Sequence, residues 1–221
     1  MSFIATQLVG FGCGHAAPYT SFRNSYDQTA DGSTLTITSV DIGTEDPTRY
    51  IVVAVGTGRG SAHTHTSATF DGDAATQHAT VANGERRLSL YGLAKPTGSS
   101  MTFVVNTSSS VSNALIGVWA LYNLTSTTPV TSTDTVDSVD LDLNVLSDGI
   151  VIAAIYMQDN GGAGDVVWTG VAADFARNVE TNPRLFGASA STCPAATPRT
   201  VSGNISGASV IEVSGIAAAW R

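Results

Sequence analysis

The run Arg49-Tyr-Ile-Val-Val-Ala-Val-Gly56 limits the fold more tightly than any other stretch. Tyr50 to Val55 are apolar without a break and rich in β-branched types, and a glycine-rich turn, Gly56-Thr-Gly-Arg-Gly60, follows at once. Side chains alternate across a strand, so an unbroken apolar run of this kind reads as a strand covered on both faces. Nearly the same phrase returns as Gly149-Ile-Val-Ile-Ala-Ala-Ile-Tyr156, again followed by a glycine-rich loop, Asp159-Asn-Gly-Gly-Ala-Gly164. Neither phrase carries a catalytic signature. Residue chemistry alone therefore specifies architecture rather than activity.

The rest of the chain is built in the same idiom. Leu35 and Ile37 alternate with threonines, as Leu141, Leu143 and Val145 alternate with Asp140, Asp142 and Asn144, the pattern of half-buried strands. Asp71-Gly72 and Asn83-Gly84 are hairpin turns. Strands are expected at Thr66–Phe70, Ala74–Val81, Arg87–Gly92, Met101–Asn106 and Ala114–Leu121. Gly, Pro and β-branched residues interrupt every window of helical length, and Ala172–Val179 is the only short helical candidate. The class is all-β, a β-sandwich of jelly-roll or immunoglobulin-like type.

Landmarks recur in order. Phe70-Asp-Gly-Asp-Ala-Ala75 returns as Trp168-Thr-Gly-Val-Ala-Ala173, Arg87-Leu-Ser-Leu as Arg184-Leu-Phe-Gly187, and the segment ending at Trp119 as the one ending at Trp220. This order predicts an internal duplication, with two pseudo-repeats of about seven strands each at 31–124 and 136–221. A Ser/Thr-rich link with Pro129 joins them, and together they make one β-sandwich region, 31–221. Residues 1–30 keep no period and read as an extended N-terminal arm, apolar enough (Phe3, Ile4, Leu8, Val9, Phe11) to pack on its own sandwich or on a neighbour.

Composition narrows the partners. The net charge is −8, Lys95 is the only lysine, and no basic cluster exceeds Arg86-Arg87. A phosphate-tracking face is missing, which argues against nucleic acid and anionic membranes. No apolar run approaches a membrane span, and the N-terminus lacks the basic start and long apolar middle of a signal peptide. The expectation is a soluble chain made in a cytoplasm, with the sequons at Asn106, Asn123 and Asn204 unused. Cys13 and Cys193 are too few for a disulfide scaffold and read as free thiols or as one bridge to the N-terminal segment.

Candidate chemistry is sparse. No nucleophile elbow or phosphate loop occurs, and Gly10-x-Gly-x-Gly14 and Gly56-x-Gly-x-Gly60 lack the spacing of a dinucleotide fingerprint. His63 and His65 share a strand face and, with His78, Asp71 and Asp73 nearby, form a metal-site candidate; a solvated loop explains them too. Asp140, Asp142 and Asn144 suit calcium or an outer polar face. Trp168, following Asp159, Asn160 and Asp165, is either a sugar-stacking platform or a core residue. No catalytic residue, cofactor or metal is assigned.

The order Asp31-Gly-Ser-Thr-Leu-Thr-Ile, Asp46-Pro-Thr-Arg-Tyr-Ile-Val-Val-Ala-Val, Phe70-Asp-Gly-Asp-Ala-Ala-Thr and Arg86-Arg-Leu-Ser-Leu-Tyr-Gly-Leu-Ala-Lys-Pro-Thr-Gly98 resembles structural proteins of tailed bacteriophages and gene-transfer agents. The likeness spans about residues 31–220 and rests on strand-and-turn patterns. It implies a non-enzymatic virion component (head decoration, tail or fibre) that assembles with copies of itself and with other virion proteins. A glycan-binding module recognising a host surface is the alternative, and a glycoside hydrolase or depolymerase the second alternative.

Overall fold

The computed structural model describes residues 16–58, 62–136, 138–159, 164–179, 183–206 and 210–221. Every element in them is a β-strand, and every pairing is antiparallel. The first set is β1 (Tyr19–Asp41), β2 (Tyr50–Gly58), β3 (His65–Phe70), β4 (Asp73–Ala74), β5 (Thr76–Asn83), β6 (Arg86–Ala94) and β7 (Ser100–Tyr122). The second is β8 (Val130–Asp134), β9 (Ser138–Val145), β10 (Gly149–Asp159), β11 (Asp165–Thr169), β12 (Ala172–Asn178), β13 (Arg184–Cys193), β14 (Ala196–Ser206) and β15 (Val210–Trp220).

Two long strands organise the first set. β1 and β7 pair along nearly their whole length, with register shifts around Thr29–Thr34 where both change direction. Beyond that bend, the N-terminal half of β7 pairs with β3. Its C-terminal half pairs with β2, which continues through β6 to β5. The two long strands thus run through both layers of a sandwich. In the second set the corresponding layers are separate sheets, ordered β12-β13-β10-β15-β8 and β11-β14-β9. The order of partners around β2 (β5-β6-β2-β7-β1) parallels that around β10 (β12-β13-β10-β15-β8).

Three cores separate four layers. β2 sends Ile51, Val53 and Val55 into the core of the first set, and Tyr50, Val52 and Ala54 the other way. β10 divides likewise: Val151, Ala153, Ile155 and Met157 face β9, β11 and β14, while Ile150, Ile152, Ala154 and Tyr156 face β2 and β7. The middle core therefore joins residues of both sets, and each five-stranded layer is buried on both faces. This is why β2 and β10 read as unbroken apolar runs: every residue of β2 is buried.

The middle core, here called the seam, is closed by large rings. Phe175 of β12 stacks on Phe22 of β1 (centroids 5.1 Å apart) and tilts against Trp119 of β7. Glycines make room: a Cβ on Gly117 or Gly187 would lie 2.3 Å or 2.1 Å from the Phe175 ring. Gly56 serves Tyr156 in the same way. It therefore stays within β2, paired with Leu88 and Leu115, rather than opening a turn. Polar contacts cross the seam at its rim, with Arg86 on Glu212, Arg177 on Asp27, and Asn83 Nδ2 donating to Val213 O.

Several local expectations are revised by long-range pairing. Of the segment read as an arm, residues 1–15 lie outside the described residues, while Tyr19–Thr29 form the N-terminal half of β1 along β7. The break expected between Asn106 and Ala114 is a bend inside continuous β7, held where Ser108 N donates to Thr64 O. Ala172–Asn178 is an edge strand, because pairing with β13 outweighs the helical preference of its alanines.

Arg49, just before β2, is 1% exposed and makes no salt bridge among the described residues. Its five N–H groups meet five backbone carbonyls, those of Lys95 (2.6 Å), Gly43 (2.7 Å), Thr44 (2.6 Å), Thr97 (2.8 Å) and Gly98 (2.7 Å). One guanidinium thereby ties the loop before β2 to the loop before β7. A lysine offers only three donors and a different geometry. Arg49→Lys is expected to cost about 3 kcal/mol, which lowers the melting temperature by roughly 6–12 °C for a chain of this size. Calorimetry showing an unchanged melting temperature would contradict this role.

Candidate functional site

The histidine pair is buried rather than solvated. His63 and His65 are 4% and 8% exposed, and both Nε2 atoms lie 2.7 Å from the hydroxyl of Thr57 on β2. His65 Nδ1 lies 2.7 Å from Ser89 Oγ on β6, which in turn donates to Thr80 Oγ1 on β5. One donor order satisfies the whole chain: His63 Nε2–H to Thr57, Thr57 O–H to His65 Nε2, His65 Nδ1–H to Ser89, and Ser89 O–H to Thr80. The His65 ring is neutral in it. Burial, with His63 and Arg87 close by, lowers the His65 pKa to about 3.

The other metal candidates go elsewhere. His78 meets the Tyr50 hydroxyl at 2.8 Å, while Asp71 and Asp73 pair with Lys95 at 3.0 Å and 3.4 Å. No group of three or more His, Cys, Asp or Glu gathers among the described residues. The His65–Ser89 contact resembles a base beside a nucleophile, yet Ser89 is fully buried and no substrate reaches it as folded.

Asp140, Asp142 and Asn144 line the exposed face of β9, and Asp142 accepts a hydrogen bond from Thr200. Trp168 is partly buried, packing over Gly203 and against the core of the second set, whereas Phe70 is fully buried in the core of the first. Asp165 opens β11, the Asp159 side chain is not described, and Asn160 lies outside the described residues. The Cys193 thiol is buried, and burial raises its pKa; Cys13 is outside the described residues.

A shallow, open cleft lies at one rim of the seam, where sequence gives no warning of it. It measures about 650 Å³ and runs between β1 (Thr20, Phe22), the turn before β12 (Gly170, Val171), Asp174, the end of β13 (Ser189, Ser191) and Arg199 of β14. Asp174 sits at a β-bulge in the β12–β13 pairing. Its Oδ2 accepts the Trp119 indole N–H at 2.7 Å, Ser189 also bonds to it, and burial raises its pKa. No cation pairs with it among the described residues. Thr20 N donates to Ser191 Oγ (2.9 Å), and Arg199 donates to Gly170 O (2.6 Å).

A scan against protein-family models and a search of curated proteins each find no match for the chain.

The histidine network carries a signed pH dependence. The unfolded chain binds a proton at His65 below about pH 6.5, whereas the folded chain resists it down to about 3. Stability is thus unaffected by this group above about 6.5 and falls as pH drops towards 3. His65→Gln is expected to flatten the loss of urea stability between about pH 7 and about pH 5. An identical slope in wild type and variant would contradict a buried neutral imidazole.

Proposed function

We propose that the chain is a non-enzymatic structural component of a tailed phage particle, a head decoration, tail or fibre protein that works by assembling with copies of itself and with other virion proteins. In this reading the two strand sets are copies of one duplicated jelly-roll or immunoglobulin-like unit. The observation that carries it is the set of strand edges open on a deeply buried stack. Among the described residues, β8 and the N-terminal half of β1 pair on one side only, and β5 and β12 end their layers. Such edges invite pairing with a further strand, a hazard for an isolated protein and a docking device in an assembly.

The N-terminal residues belong to this reading with a changed boundary. Tyr19 onward is needed for the first five-stranded layer, so a docking role falls to residues 2–15. Mass spectrometry of purified particles from the replicon that encodes the chain is expected to find it in stoichiometric amount. Deleting residues 2–15 is expected to leave the melting temperature unchanged and to remove the chain from particles. Absence of the full-length chain from particles would sink the structural reading. Undiminished incorporation of the truncated chain would sink only the docking role.

A further inference from the structure

We propose that the seam cleft between β1, β12, β13 and β14 is a binding site for a neutral pyranose unit of a glycan. The inference goes beyond an assembly role and uses neither Trp168 nor Asp159, Asn160 or Asp165.

The cleft occupies one of two related places in the molecule. At the bulge of β12, Asp174 approaches Trp119 of the other strand set. At the bulge of β5, His78 approaches Trp220 of the other set, with rings 5.8 Å apart and edge-on. The second place is filled. His78 is held by the Tyr50 hydroxyl, a Cβ on Gly92 would collide with both at 2.6 Å, and the Trp220 indole donates to Thr127 O at 3.3 Å. At the first place the equivalent space is an opening of about 650 Å³, lined by polar groups.

Those groups define a ligand. Asp174 offers a carboxyl group fixed by the Trp119 indole and Ser189 and engaged in no salt bridge among the described residues. Carboxylates accept two hydroxyl protons readily, which matches a vicinal diol. Ser189, Ser191 and Thr20 add hydroxyls, and Arg199 adds a guanidinium. Thr20 Oγ1 and Arg199 Nε are buried without a hydrogen-bond partner, a costly state that a small rotation towards a bound hydroxyl relieves. The half-buried Phe22 ring supplies an apolar face for sugar C–H groups.

One acid and one base in the same cleft disfavour a strongly anionic or cationic ligand. Both favour a neutral ring carrying several hydroxyls, and the open shape lets a longer saccharide continue past the site.

The test is an array of microbial polysaccharides probed with the full chain, followed by NMR titration of the retained oligosaccharide. Asp174→Asn keeps an acceptor for the Trp119 indole, and Arg199→Gln keeps a donor. Each is expected to weaken binding about tenfold or more with melting temperature unchanged. Asp142→Asn on the exposed face of β9 and Trp168→Ala are expected to leave binding intact. Should Asp174→Asn fail to fold, Arg199→Gln and Ser191→Val carry the test. Retention of no glycan would overturn the proposal, as would binding that survives the cleft variants or is lost on Trp168→Ala alone.

Discussion

The structure depends on two five-stranded layers pressing their second faces together. A sandwich normally leaves the outside of each sheet to water, and its strands then alternate apolar with polar residues. β2 and β10 have given up that alternation, so neither layer is stable with its second face exposed. Val52, Ile152, Tyr156, Trp119 and Trp220 belong to one core drawn from chain segments about a hundred residues apart. The outer layers, including β9 with its row of Asp140, Asp142 and Asn144, remain one-sided and keep the solvated face that the middle layers lack.

Burial on both faces also explains how polar groups are used. Inside the stack an unpaired polar group is costly, and Arg49 and the two histidines are met by local backbone and by neighbouring hydroxyls. Arg49 spends its whole hydrogen-bonding capacity on carbonyls, and the two histidines share the hydroxyl of Thr57. The rim of the seam is where this rule loosens. There Asp174 accepts the Trp119 indole N–H without a salt bridge among the described residues, and a cleft opens. The related place on the opposite rim is filled by His78 and Trp220.

Much of the fold is legible in the sequence because it is written in periodicity. The unbroken runs of β2 and β10 and the alternation of Leu141, Leu143 and Val145 follow from which faces are dry. Features that depend on distant partners are not legible. The N-terminal half of β1 contributes few apolar side chains and is specified by backbone pairing to β7. Ala172–Asn178 has helical composition and becomes a strand only because β13 is beside it. The cleft joins Thr20 to Arg199, and no local pattern marks Asp174, which gains its character from Trp119, 55 residues away in sequence.

Native-state hydrogen exchange across the seam tests the central claim most directly. If the shared core holds the two strand sets as one cooperative unit, the amides of β2 and β10 exchange slowest of all, with one common opening free energy and a common response to denaturant. Protection of β10 that is lost at lower denaturant while β2 stays protected would show two independent sandwiches, and would contradict this account.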